Sequence, residues 1–307
     1  MNPNETDKEW DMALRGSFRF SHRLRVRWSE VDLQQIVFNG HYLNYFDTAV
    51  SEYWRAMALP YQATMARLGG DLYVRKATLD YLGSARYDDL IDVAIRCEHI
   101  GNTSLRLRCA VFRAEKLLVT GDLVYVFADP ATQSSRPIPA ELREMLLDFE
   151  AGAEMLDVQV GHWDELGVSA QDVRAEVFVR EQGIPLDLEL DEADHSAVHA
   201  LALNRMGMPL ATGRLLPHAP GVARLGRMAV IAPMRGSSVG RRVLEALLNA
   251  AAARGDHSVV LHAQLSAASF YRRFGFIEHG PHFEEAGIVH VEMVRTLSPS
   301  APWAVPA

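Results

Sequence analysis
The stretch that most restricts how this chain can fold is residues 224–253, RLGRMAVIAPMRGSSVGRRVLEALLNAAAA. Met228, Ala229, Val230 and Ile231 read as a strand and Pro233 opens a turn. RGSSVG follows, and then Val239, Val243, Leu244, Leu247, Leu248 and Ala251 fall on one side of a helix. A strand that runs through a small-residue loop into a helix builds an anion cradle, because the first-turn amides lack helical partners and lie at the positive end of the helix dipole. Gly236 and Gly240 let the backbone approach a ligand closely. Arg235, Arg241 and Arg242 crowd the helix start, where cations are disfavoured unless an anion lies among them. A phosphate-bearing ligand fits this loop, held by Arg235, Gly236, Ser237, Ser238, Val239, Gly240 and Arg241. The plain alternative is a strand, turn and helix with solvated arginines.

A chain of 307 residues can build two domains, each with its own core. Its net charge of −8 argues against general nucleic-acid or anionic-membrane binding, which needs a basic face. No apolar run is long enough to span a bilayer, and the polar N-terminus does not read as a signal peptide, so a cytoplasmic protein is expected. Cys97 and Cys109 alternate in phase with apolar neighbours and read as buried, reduced thiols. Asp191, Glu192, Asp194, His195 and His199 are dense in metal-ligand types, but an acidic solvated loop explains them better, and no metal is expected.

In the first half, residues 18–28 alternate as a half-exposed strand, and residues 41–59 show helical spacing with bulk on several faces, as in a helix buried nearly all round. Strand patterns recur at 72–81, 90–99, 103–114 and 117–128, with Ile91, Val93, Ile95 and Cys97 facing one way and Asp92, Arg96 and Glu98 the other. The simplest arrangement is an antiparallel sheet wrapped round the long helix. A closing helix at 140–150 and a short join, Ala151-Gly152-Ala153, precede a second set of alternating strands and helices. The expected organisation is an extension at 1–17, domains at 18–153 and 154–297, and a flexible tail at 298–307.

The segment RVRWSEVDLQQIVFNGHYLNYFDTA resembles the 4-hydroxybenzoyl-CoA thioesterase-like branch of the hotdog fold, over about residues 18–138. The resemblance implies that Asp32 is general base or nucleophile on an acyl-CoA thioester, and that the backbone amide at Asn39 polarises its carbonyl. Glu30 stands where that family has its first aspartate and Gln35 where it has a turn glycine. A carboxylate beside a helix start suits this chemistry, although a turn-capping carboxylate would look the same in isolation. Glu30 and His41 are read as supports, and Arg75 and Lys76 as candidate phosphate contacts or a solvated strand face.

RGSSVG also resembles the pyrophosphate loop of the GNAT acetyltransferases, with Ser238 in place of a family glycine. LHAQLSAASFYRRFGF, VFVREQGIP and HFEEAGIVHVEM are similar to the ElaA-like branch. The fold class expected is therefore an α+β hotdog domain followed by an α/β GNAT domain. The resemblance implies that acetyl-CoA meets the strand at Met228, Ala229 and Val230 and that Tyr271 protonates the departing thiolate. Glu181, Glu189 and His290 remain open as bases for an undefined amine acceptor. Coenzyme A thioesters are the common substrate, and the hotdog half implies a homodimer or homotetramer. One functional reading is a bifunctional acyl-CoA enzyme. A second makes the GNAT half a non-catalytic CoA-binding or assembly module, and a third leaves only the transferase active.

Overall fold
The computed structural model describes residues 15–297. The chain forms two compact units that divide between Met155 and Leu156. The tail expected at 298–307 and most of the extension at 1–17 lie outside the described residues.

In the first unit the sheet runs β1-β3-β4-β5-β2, with β1 Phe20–Arg25, β2 Asp71–Tyr81, β3 Leu90–Ile100, β4 Ser104–Arg113 and β5 Lys116–Ala128, all antiparallel. Helix α1, His41–Ala56, crosses this sheet and buries Tyr42, Phe46, Ala49, Val50, Tyr53 and Trp54. Close approach is possible because β5 carries Gly121, where an added Cβ would lie 2.8 Å from the Phe46 ring and 2.7 Å from the Thr78 carbonyl. The helix is not buried all round: Leu43, Asn44, Asp47, Thr48 and Ser51 form an exposed stripe. Bulky residues on several faces suggested full enclosure, but the sheet covers only one side of the helix. A further helix, α2 at Tyr61–Leu68, follows it.

Asp92 also departs from the alternation pattern. It sits on the outward side of β3 yet is only 5% exposed, because Arg15 and Arg23 close over it at 2.8 and 2.7 Å. Their hydrogen bonds, that from Arg23 foremost, hold its carboxyl below the usual range. Nearby, Ala94, Ala110, Phe112 and Leu117 form an apolar cluster on which Phe18 packs. Helix α3, Ala140–Glu150, closes the unit: the Glu150 carboxylate accepts from the Tyr53 hydroxyl and, at 2.8 Å, from the Cys97 amide. Both cysteines are free, and burial raises both thiols, Cys97 to about 12.

The second unit is one seven-stranded sheet ordered β11-β12-β10-β9-β8-β7-β6. Its strands are β6 Leu156–Gly161, β7 Val198–Asn204, β8 Pro209–Ala219, β9 Val222–Val230, β10 Ser258–Gln264, β11 Ile277–Glu285 and β12 Ile288–Thr296. Only β9 and β10 pair in parallel, and only from Ser258↔Val222 to Leu261↔Leu225. Beyond that point the two strands part. Strand β9 starts well before the apolar run at 228–231, since Arg224 and Arg227 mask its alternation. Helix α4, Trp163–Arg174, continues as a π-helical segment, Ala175–Glu181. Helices α5, Val239–Arg254, and α6, Leu265–Arg272, follow β9 and β10.

The acidic segment before β7 is not a solvated loop. Glu189 and Asp194 are 3% and 2% exposed, held by Arg174, itself 1% exposed, with Arg214 and Arg227 alongside. Three guanidinium groups neutralise Glu189, Asp191 and Asp194, and no metal-binding group of His, Cys, Asp and Glu occurs among the described residues.

Candidate functional sites
The Asp32 loop is built by short-range pairing. Val31 bridges Val37, Ile36 bridges Arg86, and the Asp32 amide donates to the Ile36 carbonyl at 2.9 Å. One carboxylate oxygen, Oδ1, accepts the Gln34 amide at 2.8 Å, so Asp32 does cap its own turn. Its other oxygen accepts no hydrogen bond among the described residues. Seven residues on, the amides of Asn39 and Gly40 at the start of α1 are likewise unbonded, while the Asn39 carbonyl is held by the Tyr81 hydroxyl at 3.2 Å. The first unit therefore offers a free carboxylate oxygen and free helix-start amides on one short loop.

Glu30 is a support. Its carboxylate accepts the Arg27 amide at 2.6 Å and the Tyr45 hydroxyl at 2.8 Å, which ties the loop to α1. His41 packs edge-on against Phe38 and its Nδ1 lies 3.3 Å from the Asn44 amide nitrogen. Gln35 takes the turn at φ +60°, the left-handed conformation that a glycine would adopt there without strain. Gln35 therefore holds this turn at an energetic cost that a glycine would avoid. Gln35→Gly is expected to stabilise the first unit by about 1 kcal/mol in urea unfolding, and an unchanged or lowered midpoint contradicts this. Arg75 and Lys76 lie on exposed positions of β2 beside a register shift.

In the second unit the cradle residues come together. Gly236 and Ser238 have φ of +83° and +68°, so the serine adopts the backbone conformation for which glycine is usual. The amides of Gly236, Ser238, Val239, Gly240 and Arg241 have no bonding partner among the described residues. Alternating left-handed residues ahead of a helix turn such amides into one concavity, a site for an anion. Gly240 packs closely: a Cβ there would lie 3.0 Å from the Val230 side chain and 3.9 Å from Phe270. The same contacts place the loop against both the end of β9 and helix α6.

Met228, Ala229 and Val230 occupy the end of β9, past its last pairing with β10. Ala229 packs with Val173 and Val177 of the α4 segment, while Val230 meets Gly240. Tyr271, on α6, is 8% exposed, its ring edge-on to Phe270 and Phe276, and its hydroxyl has no hydrogen-bond partner among the described residues. Burial raises its pKa well above the ordinary tyrosine value, so the hydroxyl stays protonated.

Arg235 sits differently from expectation. It forms a two-bond ion pair with Glu181, at 2.6 and 2.5 Å, and its Nε donates to the Val230 carbonyl at 3.1 Å. The hydrogen bond from Arg235 holds the Glu181 carboxyl below its ordinary value, which makes it a poor base. Glu189 is consumed in the buried arginine network. Sequence spacing could not reveal either pairing, because each joins residues brought together only by the sheet.

The GNAT acetyltransferase domain model matches residues 188–297, and the thioesterase superfamily model matches residues 34–120. The chain is 34% identical over 124 residues to the uncharacterized N-acetyltransferase YjcF of Bacillus subtilis (strain 168), spanning 40% of this chain and 87% of YjcF. It is 27% identical over 124 residues to the acyl-CoA thioester hydrolase YbgC of Escherichia coli O6:H1, spanning 40% of this chain and 92% of YbgC. The crystal structure of Escherichia coli ElaA matches at 29% identity and a TM-score of 0.42, over 46% of this chain and 99% of ElaA. The chain belongs to the GNAT acetyltransferases through its second unit, and its first unit is similar to the thioesterase superfamily over the matched residues.

Proposed function
We propose that the protein is a bifunctional acyl-CoA enzyme whose first unit hydrolyses an acyl-CoA thioester and whose second transfers an acetyl or acyl group from CoA to an amine. The observation that carries this reading is the presence of two such loops on one chain: Asp32, with one carboxylate oxygen unbonded, on the loop that leads to the unbonded amides of Asn39 and Gly40, and the unbonded amides of Gly236, Ser238, Val239, Gly240 and Arg241, all among the described residues. Thiol release from acyl-CoAs without any amine, compared between wild type and Asp32→Asn, tests the first half.

In the first unit Asp32 acts on the thioester carbon, directly or through water, and the Asn39 amide stabilises the oxyanion. In the second, the cradle amides with Arg241 hold the pyrophosphate, and Met228, Ala229 and Val230 present backbone to the acyl group. Arg235 meets the phosphates from the loop while its guanidinium stays on Glu181 and the Val230 carbonyl. Tyr271 gives its proton to the CoA thiolate. Tyr271→Phe is expected to lower amine acetylation about 100-fold with CoA affinity unchanged. Transfer at the wild-type rate by that variant contradicts the role of Tyr271, whereas a wild type that binds CoA and transfers to no amine favours the second reading, a non-catalytic CoA-binding or assembly module, for which the Arg235–Glu181 pair is the supporting observation.

We further read the protein as a cytoplasmic homodimer or homotetramer that binds neither nucleic acid nor membrane. No described helix is long and apolar enough to cross a membrane. Strand β2 is a sheet edge whose Tyr73, Val74 and Tyr81 are 38%, 53% and 52% exposed, the kind of edge that proteins cover. Sedimentation of the intact protein tests this, and a monomer at micromolar concentration contradicts it.

A further inference from the structure
We propose that His290 is the base that takes the proton from the acceptor amine, and that the acceptors are therefore alkylamines, which arrive as ammonium ions. The assignment rests on reading the second unit as a transferase. Three side chains were candidates, and the structure removes two of them. Glu181 is clamped by Arg235 through both carboxylate oxygens, and Glu189 is 3% exposed between Arg174 and Arg227. The Glu181 carboxylate, its pKa lowered by the hydrogen bond from Arg235, has little tendency to accept a proton from an ammonium, and Glu189 is out of an acceptor's reach.

His290 differs on each count. Its Nδ1 lies 2.8 Å from the Ile288 carbonyl, which can only accept, so Nδ1 carries the hydrogen and Nε2 presents its lone pair. Among the described residues no carboxylate pairs with it, in contrast to His262, 3.2 Å from Glu285, and His279, 2.8 Å from Glu292. The Phe283 ring lies nearly parallel to the imidazole, 23° off and 6.0 Å between centroids, which fixes its orientation. The ring is partly exposed, so an acceptor can reach it.

Its place in the sheet is apt. His290 pairs with Gln264, so the two share a face, and the Gln264 amide donates to Gln182 at 3.0 Å, at the end of the π-helical segment. That face is therefore the one the α4 segment covers, and Ala229 of β9 packs against the same segment. Gln264 is also the last residue of β10, beyond its final pairing with β9 and directly before the helix that carries Tyr271. His290 thus stands at the open end of the strand pair, with the acyl-presenting strand on one side and the tyrosine's helix following.

The proton count closes. His290 Nε2 takes one proton from the ammonium and frees the nitrogen lone pair. The nitrogen attacks the thioester carbonyl carbon, and the C–N bond forms as the C–S bond breaks. The second amine proton leaves with the thiolate as CoA thiol, by way of the Tyr271 hydroxyl; the imidazolium returns its proton to water, and the third hydrogen stays on the amide.

The test uses the intact protein, acetyl-CoA, and two kinds of acceptor: the alkylamines phenethylamine, spermidine and lysine amide, and aniline, whose nitrogen is already neutral at pH 7. His290→Gln keeps a donor for the Ile288 carbonyl. The variant is expected to lose about 100-fold in kcat/KM with the alkylamines, to stay within about threefold of wild type with aniline, and to bind CoA unchanged. Equal losses with both kinds of acceptor, or alkylamine transfer within threefold of wild type, overturn the assignment to His290. Wild-type transfer to none of the four amines, with CoA still bound, overturns the transferase reading itself.

Discussion

Asp32→Asn is expected to lower thiol release from acyl-CoA by about 1,000-fold while leaving the fold of the first unit intact. Asparagine retains an oxygen in the place of Oδ1, so the bond from the Gln34 amide at 2.8 Å survives and the turn closes as before. What disappears is the charge on the oxygen that has no other partner. The Asn39 and Gly40 amides remain to bind an oxyanion, so some activity above the uncatalysed rate should persist. Steady-state kinetics over short, long and aromatic acyl-CoAs, with unfolding curves run in parallel, separate the two contributions. Loss of activity accompanied by a lowered unfolding midpoint would mean that Asp32 serves the turn alone.

The second large effect is structural. Arg174→Ala is expected to destabilise the second unit by about 3–5 kcal/mol, enough to unfold much of it at physiological temperature. Arg174 donates to Glu189, to the Glu189 carbonyl at 2.6 Å and to Asp194 at 2.8 and 3.1 Å, with Trp163 over its guanidinium. Removing it leaves Glu189, Asp191 and Asp194 with only Arg214 and Arg227 to neutralise them. Burial alone pushes the Asp194 carboxyl up, but bonds from Arg174 and Arg214 outweigh it and hold the group below its ordinary value; Asp191 follows the same balance through Arg214. Carboxyls depressed in the folded state stabilise it above their unfolded values and cease to do so as pH falls through the folded ones. The wild-type unit should therefore hold its stability down to about pH 4 and lose it below. A urea midpoint for Arg174→Ala within about 0.5 M of wild type would show that the network is dispensable.

Periodicity carried most of the fold. The strands of the first unit, its long helix and the cradle of the second all leave repeats of two or of three to four residues, and local patterns of that kind survive folding. What stayed hidden depends on contacts far apart in sequence. Leu43, Asp47 and Ser51 do not announce that the sheet covers only one side of α1. Asp92 and Asp194 read as solvated charges because the arginines that bury them, Arg23 and Arg174, lie 69 and 20 residues away. The cradle was legible because strand, loop and helix are contiguous, and Ser238 shows why the motif tolerates a departure: the backbone angle matters more than the side chain. That Glu181 is tied up was illegible because Arg235, which holds it, lies 54 residues away.

The measurement that bears most directly on two activities in one chain is a crossed assay. Amine-independent thiol release and amine acetylation are each measured on wild type, Asp32→Asn and Tyr271→Phe at equal concentration. Two independent sites predict that Asp32→Asn loses thiol release and keeps acetylation, while Tyr271→Phe loses acetylation and keeps thiol release. A wild type that performs only one of the reactions, or a variant in one unit that abolishes both while CoA still binds, would contradict the bifunctional account.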